Sequence, residues 1–275
     1  MKLTFTKMQG AGNDFVLVEN RDGALDFTPE LIRRLCDRHY GIGADGVICA
    51  ENSEVADLKM RIFNSDGSEP EMCGNGIRCF ARWAREKWLV DEDEFTVETL
   101  AGIVRPVLVG EEVRVDMGAP VLNGPEIPVN LPGEVVLHPA VFAGKTVAIT
   151  CVSMGNPHCV IFLEDGEPSP VAELGPAVEI DPLFPNKTNV EFVKVLPGEE
   201  LSVDVWERGA GITLACGTGA CAALVAAHLA GRSGRAATIR LPGGTLDVSW
   251  EEDGRVLMTG PAEFVFKGEM PLPPR

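Results

Sequence analysis

The sequence predicts an α+β protein of two pseudo-symmetric domains, each a curved, mostly antiparallel sheet wrapped around a central helix. Three observations lead there. MCGNGIRC at 72–79 and ACGTGAC at 215–221 share a cysteine, a glycine, a small polar residue and a second glycine ahead of a helical apolar run. One offset also relates the landmarks upstream. Gly12 to Cys73 is 61 residues (73 − 12), Gly155 to Cys216 is again 61 (216 − 155), and 216 − 73 is 143. Two landmarks in register without a gap mark a duplicated domain. Finally, Ala220, Cys221, Ala222, Ala223, Ala226 and Ala227 leave the second helix no wide polar face. A helix that is small and apolar nearly all round belongs inside a fold.

The elements follow in chain order. Strands are expected at 2–8 and 14–20, then a helix at 29–38 with Thr28 as N-cap and Pro29 at its first position. Further strands at 46–51 and 57–63 precede the turn Ser65-Asp66-Gly67. A helix at 75–88 has apolar residues at helical spacing and no proline, and strands at 94–98, 101–109 and 112–117 close the half. Residues 118–133, with four prolines and three glycines, read as the crossing between domains. The second half repeats the pattern with strands at 145–152, 158–163, 188–195 and 201–207, a helix at 217–230, and strands at 236–241, 244–250 and 255–260. The expected domains are 1–118, completed by 263–275, and 119–262, with one of the two cysteines in each. The offset lays Asn64 on Glu207 and Gly46 on Asn189.

Composition narrows the function. A chain of 275 residues with 45% hydrophobic content can fill two cores. A net charge of -17 repels phosphates and argues against a nucleic-acid partner. No stretch has the length of a membrane span, and MKLTFTKMQG alternates like a strand instead of resembling a signal peptide. A cytoplasmic protein with no membrane partner is therefore expected. Eight cysteines in such a chain read as thiols, not as a disulfide framework. Five residues separate Cys73 from Cys79, four separate Cys216 from Cys221, and no C-x-x-C occurs, so no metal site is expected. Cys36, Cys49, Cys151 and Cys159 lie in apolar runs as core filler, and Cys79 and Cys221 pack within helices.

Cys73 and Cys216 differ from these. Each stands at a helix N-terminus, where free N–H groups and the helix dipole favour a thiolate and can also hold a carboxylate. A pseudo-twofold arrangement would point both into the cleft between the domains. Two thiols facing one carbon suit proton removal on one face and proton return on the other.

The motifs GAGNDFV, FNSDGSEPEMCGNGIRC, GNPHCV, TNVEF and WERGAGITLACGTGA stand in one order along essentially the whole chain. Together they resemble the diaminopimelate epimerase family. The resemblance implies that fold, and cofactor-independent interconversion of LL- and meso-2,6-diaminopimelate in lysine and peptidoglycan precursor synthesis. Cys73 and Cys216 would be the acid–base pair. Gly74, Asn75, Gly217 and Thr218 would offer backbone N–H groups to the reacting carboxylate. Asn13, Asn64, Asn156, Asn189, Glu207 and Arg208 would bind the substrate's amino and carboxylate groups, with His158 and Glu207 assisting the thiols. The family also implies a homodimer. Gly46 stands where many relatives have a glutamine that contacts substrate, and Phe266 where some have a dimerising tyrosine.

Duller readings compete. Cys73 and Cys216 could be buried caps, Asn13, Asn64 and Asn156 turn residues, His158 a hydrogen-bonded loop residue, and Glu207-Arg208 a local ion pair. Cys216 with His158 as base could instead be a covalent nucleophile. The two cysteines could form a redox switch, or the two lobes could bind an amino acid without reacting. A pyridoxal phosphate racemase is set aside because no lysine lies in the motifs.

Overall fold

The computed structural model describes residues 2–164 and 166–272. The chain divides into two compact units, Met1–Val115 with Gly260–Arg275, and Asp116–Thr259. Among the described residues no helix is long and apolar enough to cross a membrane.

The first unit opens with β1 (Lys2–Gly10) and β2 (Asn13–Glu19), an antiparallel hairpin in which Gly10 pairs with Asn13. Helix α1 (Pro29–Cys36) follows, its Thr28 hydroxyl accepting from the Leu31 N–H at 3.2 Å. Next come β3 (Gly46–Glu51), β4 (Leu58–Asn64) and helix α2 (Gly74–Glu86). Short strands β5 (Val97–Thr99), β6 (Gly102–Val104), β7 (Val107–Val109) and β8 (Glu112–Asp116) end this pass. Helix α2 packs against β1 to β4 and buries Ile77, Phe80, Ala81, Trp83 and Ala84. The Trp83 indole donates to the Thr6 hydroxyl at 3.1 Å, which satisfies the one polar atom of that ring inside the core.

The second unit carries β9 (His138–Phe142), β10 (Lys145–Ser153), β11 (Pro157–Phe162), helix α3 (Val171–Glu179), β12 (Asn189–Leu196) and β13 (Glu200–Glu207). It continues with β14 (Gly211–Thr213), helix α4 (Gly217–Leu229), β15 (Ala236–Leu241), β16 (Gly244–Trp250) and β17 (Val256–Pro261). The last strand, β18 (Glu263–Pro271), pairs antiparallel with β1 in the first unit. The first unit's sheet runs β18-β1-β2-β3-β4-β5-β6, antiparallel except at β2–β3 and β4–β5. In the second unit the order is β17-β16-β15-β13-β12-β11-β10-β9, parallel at β11–β12 and β13–β15, with β14 also paired to β13. Helix α4 packs on β10 to β13, β15 and β16, and every residue from Gly219 to Ala227 is buried. The fold is thus α+β with mixed, mostly antiparallel sheets around buried helices.

Each unit, taken by itself, repeats the other at the offset of 143. Lys2–Gly10 maps onto Lys145–Ser153 (2 + 143 = 145), and Gly74–Glu86 onto Gly217–Leu229 (74 + 143 = 217). Even strand register is kept, since Phe15 pairs with Gly46 and His158 with Asn189.

Some expectations change. Helix α1 stops at Cys36 because Asp37 turns extended and its carboxylate takes the His39 and Tyr40 N–H groups. The strand expected over 101–109 breaks at Arg105-Pro106 into β6 and β7, because proline cannot donate to a ladder. Residues 118–133, expected as the crossing between domains, lie in the second unit and are packed as well as connecting: Ile127 and Val129 enter the core with Phe142, Ile149 and Phe192. Helix α3 and strands β9 and β14 carried no clear periodic signal; Pro176 lies inside α3.

Candidate active site

In the first unit the start of β2, the start of β3 and the end of β4 lie side by side, bringing Asn13, Gly46 and Asn64 to one end of the sheet. Cys73 is the N-cap of α2, with extended backbone, and its Sγ accepts from the Gly76 N–H at 3.4 Å. Glycine at 76 suits a close approach that a larger residue would meet only by displacing the Ile62 side chain. A Cβ there would lie 2.8 Å from Ile62 Cδ1 and 3.4 Å from the Cys73 side chain. The Cys73 thiol also points to Asn13 Oδ1 at 3.8 Å, and Asn75 Nδ2 donates to the same oxygen at 3.3 Å. Cys73, Asn13 and Asn75 are therefore one cluster.

Two residues absent from the sequence reading hold this cluster. Asp45 Oδ2 accepts from Asn13 Nδ2 at 2.8 Å, which fixes the amide with its oxygen toward the thiol. Buried Arg78 donates to Asn75 Oδ1 at 3.0 Å and to the Gly74 carbonyl at 3.2 Å. Asp45 belongs in turn to an ionic group with Arg38, Asp14 and Lys7. Asn64 is exposed and bonds Ser68 Oγ at 3.0 Å. Gly46 has no room for a side chain, since a Cβ would sit 2.6 Å from the Phe63 carbonyl oxygen.

The second unit repeats the layout with different chemistry. Cys216 is the N-cap of α4, its Sγ accepting from the Gly219 N–H at 3.4 Å and lying 3.5 Å from Thr218 Oγ1. Burial pushes this thiol well above its ordinary value, and the carboxylates of Glu207 and Glu191 push the same way. Glu207 ends β13 and accepts from Thr213 Oγ1 at 2.6 Å. Asn189 is buried and committed to backbone: Nδ2 donates to the Pro157 carbonyl and Oδ1 accepts from the Arg208 N–H, both at 2.9 Å. Its side chain thereby sets the start of β11 and the turn carrying Arg208. The Arg208 guanidinium donates to the Asn186 carbonyl at 3.1 Å.

His158 is fully buried and uses both ring nitrogens. Nδ1 meets Glu191 Oε1 at 2.7 Å and Nε2 meets Asn156 Oδ1 at 2.9 Å. Glu191, also fully buried, escaped the sequence reading because a glutamate in an apolar strand gives no local signal of its partner. Among the described residues no group of three or more His, Cys, Asp or Glu side chains is arranged to hold a metal ion. The eight cysteines are thiols rather than disulfides; Cys36, Cys49, Cys79, Cys151, Cys159 and Cys221 are buried as packing residues, Cys216 is buried at its cap, and Cys73 is partly exposed.

Each half-site is thus a cysteine at a helix N-terminus, with N–H groups of the first turn beside it and amide and carboxylate groups from the ends of neighbouring strands. Such N–H groups suit an anion, and a carboxylate in particular.

Known proteins match this chain along nearly its whole length. A family model described as diaminopimelate epimerase matches residues 5–123 and 150–265. The chain is 57% identical to the diaminopimelate epimerase of Moorella thermoacetica over 98% of its own length and 99% of that protein's. Against that of Synechocystis it is 52% identical over 98% and 99%. Among solved structures, a phenazine biosynthesis protein of the PhzF family from Enterococcus faecalis superposes with TM-score 0.70 at 16% identity, covering 99% of this chain and 100% of that one. A hydroxyproline epimerase from Agrobacterium vitis with bound trans-4-hydroxy-L-proline superposes with TM-score 0.68 at 14% identity, covering 98% and 92%. At these identities the structures share the fold.

Proposed function

The chain belongs to the diaminopimelate epimerase family, and from that premise we propose that it interconverts LL- and meso-2,6-diaminopimelate by two-base proton transfer without a cofactor. The observation that supports this most is the matched pair of cysteine N-caps, Cys73 and Cys216, each opening a helix of 13 residues. One sulfur, as thiolate, takes the α-proton while the other, as thiol, delivers a proton to the opposite face. The products are the inverted centre and the pair with its protons exchanged. With its thiol pushed up, Cys216 is the proton donor in this state. In this reading each domain supplies one cysteine and one helix N-terminus.

The N–H groups of Gly74, Asn75, Gly217 and Thr218 receive the reacting carboxylate, whose negative charge grows as its neighbouring carbon loses the proton. Asn13, Asn64, Asn156, Asn189, Glu207 and Arg208 bind the remaining amino and carboxylate groups, with Asn189 acting through the backbone that it holds. Glu207 supplies charge and hydrogen bonds around the thiols, and His158, its ring nitrogens taken by Glu191 and Asn156, assists through its field. We read the protein as a cytoplasmic homodimer serving lysine and peptidoglycan precursor synthesis; Val265 and Phe266, exposed on β18, are candidates for the contact.

The test is incubation with LL-diaminopimelate in deuterated water without added cofactor, comparing the parent with Cys73→Ala and Cys216→Ala. The parent is expected to form the meso isomer and to take deuterium at the α-carbon, and each variant to lose epimerisation. Full activity in either variant overturns the two-base reading. A parent that binds without exchanging its ligand's α-hydrogen is a binding module instead.

A further inference from the structure

Resting on that reading, we propose that Glu191 is a positioning residue: through His158 it aims the Asn156 amide at a substrate carboxylate. The argument is an inventory of protons. An amide oxygen only accepts, so the 2.9 Å contact of His158 Nε2 with Asn156 Oδ1 needs a proton on Nε2. The 2.7 Å contact of Nδ1 with Glu191 Oε1 needs one more proton between those two atoms. Both ring nitrogens are therefore occupied, and the imidazole is fixed in place with Nε2 as donor. With Asn156 Oδ1 drawn to the ring, its Nδ2 group faces away and offers two donors to an anion. Asn156 is itself only half-buried, so those donors are open to a ligand.

The repeat shows that the fold does not need this pair. The residues equivalent to His158 and Glu191 in the first unit are Phe15 (158 − 143) and Ile48 (191 − 143), both buried and apolar. They occupy the same places. A Cβ on Gly76 would meet Ile48 Cδ1 at 3.2 Å, and a Cβ on Gly219 would meet Glu191 Oε1 at 2.7 Å. The architecture under the helix N-terminus is thus built with hydrocarbon in one unit and with a carboxyl–imidazole pair in the other. Among the described residues Glu191 Oε2 is buried without a hydrogen-bond partner, an arrangement that packing alone would not favour. The first unit orients the equivalent Asn13 (156 − 143) through Asp45 instead, whereas the second orients Asn156 through this buried pair.

Three variants test this. Glu191→Gln keeps a donor to Nδ1 and hence the proton on Nε2. Glu191→Ile removes the partner, and the double variant Glu191→Ile/His158→Phe copies the first unit and guards against misfolding. For diaminopimelate, Glu191→Ile should raise KM about tenfold, the effect of losing one hydrogen bond to a charged group, with a smaller change in kcat; the double variant should raise KM as much and also lower kcat, because it removes His158. Glu191→Gln should restore KM to within about threefold of the parent. Nitrogen-15 NMR of the histidines should show a protonated Nε2 on His158 in the parent and in Glu191→Gln. Parent-like KM in a folded Glu191→Ile, Glu191→Gln as impaired as Glu191→Ile, or a bare Nε2 in the parent each overturns the inference. The NMR measurement needs no turnover, so its failure is separable from failure of the epimerase reading, which shows as a parent that exchanges no α-hydrogen.

Discussion

Thr213 donates its hydroxyl hydrogen to Glu207 Oε1 across 2.6 Å, tying a three-residue strand to the end of its neighbour. Burial pushes the Glu207 carboxyl up; the Thr213 hydroxyl pulls it back, Glu191 pushes it up again, and His158 pulls it down. The net direction is upward. A raised acid holds its proton more tightly in the folded chain than in the unfolded one. Its contribution to stability is therefore present in acid and lost as pH rises through the folded value.

At neutral pH, then, Glu207 is a charge kept at some expense to stability. Glu207→Gln should raise the melting temperature at pH 7, by roughly 2–4 °C per kcal/mol relieved, and the gain should vanish in acid. Epimerisation should fall about 100-fold in the same variant, the usual scale for a lost acid–base helper. Calorimetry at two pH values with a parallel assay checks both, and a variant neither more stable nor less active contradicts them.

Thiol reactivity should separate the cysteines. Cys216 is buried with its thiol pushed up, whereas Cys73 is partly exposed. Burial also raises Cys79 and Cys49 to about 12 and Cys36 to about 11. Iodoacetamide near neutral pH should label Cys73 first, Cys216 appreciably only at higher pH, and the other three barely at all. Peptide-resolved mass spectrometry over time measures the order; faster labelling of Cys216 runs against it.

The Lys7–Asp14 pair governs acid behaviour. Burial alone would lift the Asp14 carboxyl, but hydrogen bonds from Arg38, Lys7 and Asp45 and the Lys7 charge hold it well below the carboxylate range. Its stabilisation is therefore complete above the ordinary aspartate value and is lost only as pH falls through the lowered one. Lys7→Met leaves Asp14 half-matched and the Gly43 carbonyl without its donor. Urea unfolding at pH 7 should show a loss of about 3 kcal/mol, and acid unfolding should begin at higher pH than in the parent.

Gly46→Gln places there the residue that the family resemblance implies, yet it should not improve binding. The Cβ would come within 2.6 Å of the Phe63 carbonyl, so β3 and β4 must separate locally. A loss of about 2 kcal/mol is expected, with KM unchanged or higher. A tighter, equally stable variant would show that the strands yield more easily than their packing suggests.

Legibility in the sequence followed the kind of interaction. Helices α2 and α4 were readable because glycine, cysteine and small apolar residues specify a tight N-terminus and a crowded surround in purely local terms. Thr28 declared itself as a cap for the same reason. Helix α3 did not, since Gly175 and Pro176 break its pattern. The cysteines, Asn13 and Glu207 were found through motif and repeat. Asp45 and Glu191 were missed because their partners lie 32 and 33 residues away, and Arg78 because its full burial, not its distance from Asn75, makes its hydrogen bonds matter.

The sulfur atoms at 73 and 216 are structural parts as well as reagents, since each closes the first turn of its helix. Alanine at either place frays that turn by about 1 kcal/mol, whereas serine caps at least as well as cysteine. A serine form would therefore keep its scaffold intact while being a far poorer proton carrier. Such a silent but well-formed protein is the natural starting material for trapping an unreacted ligand.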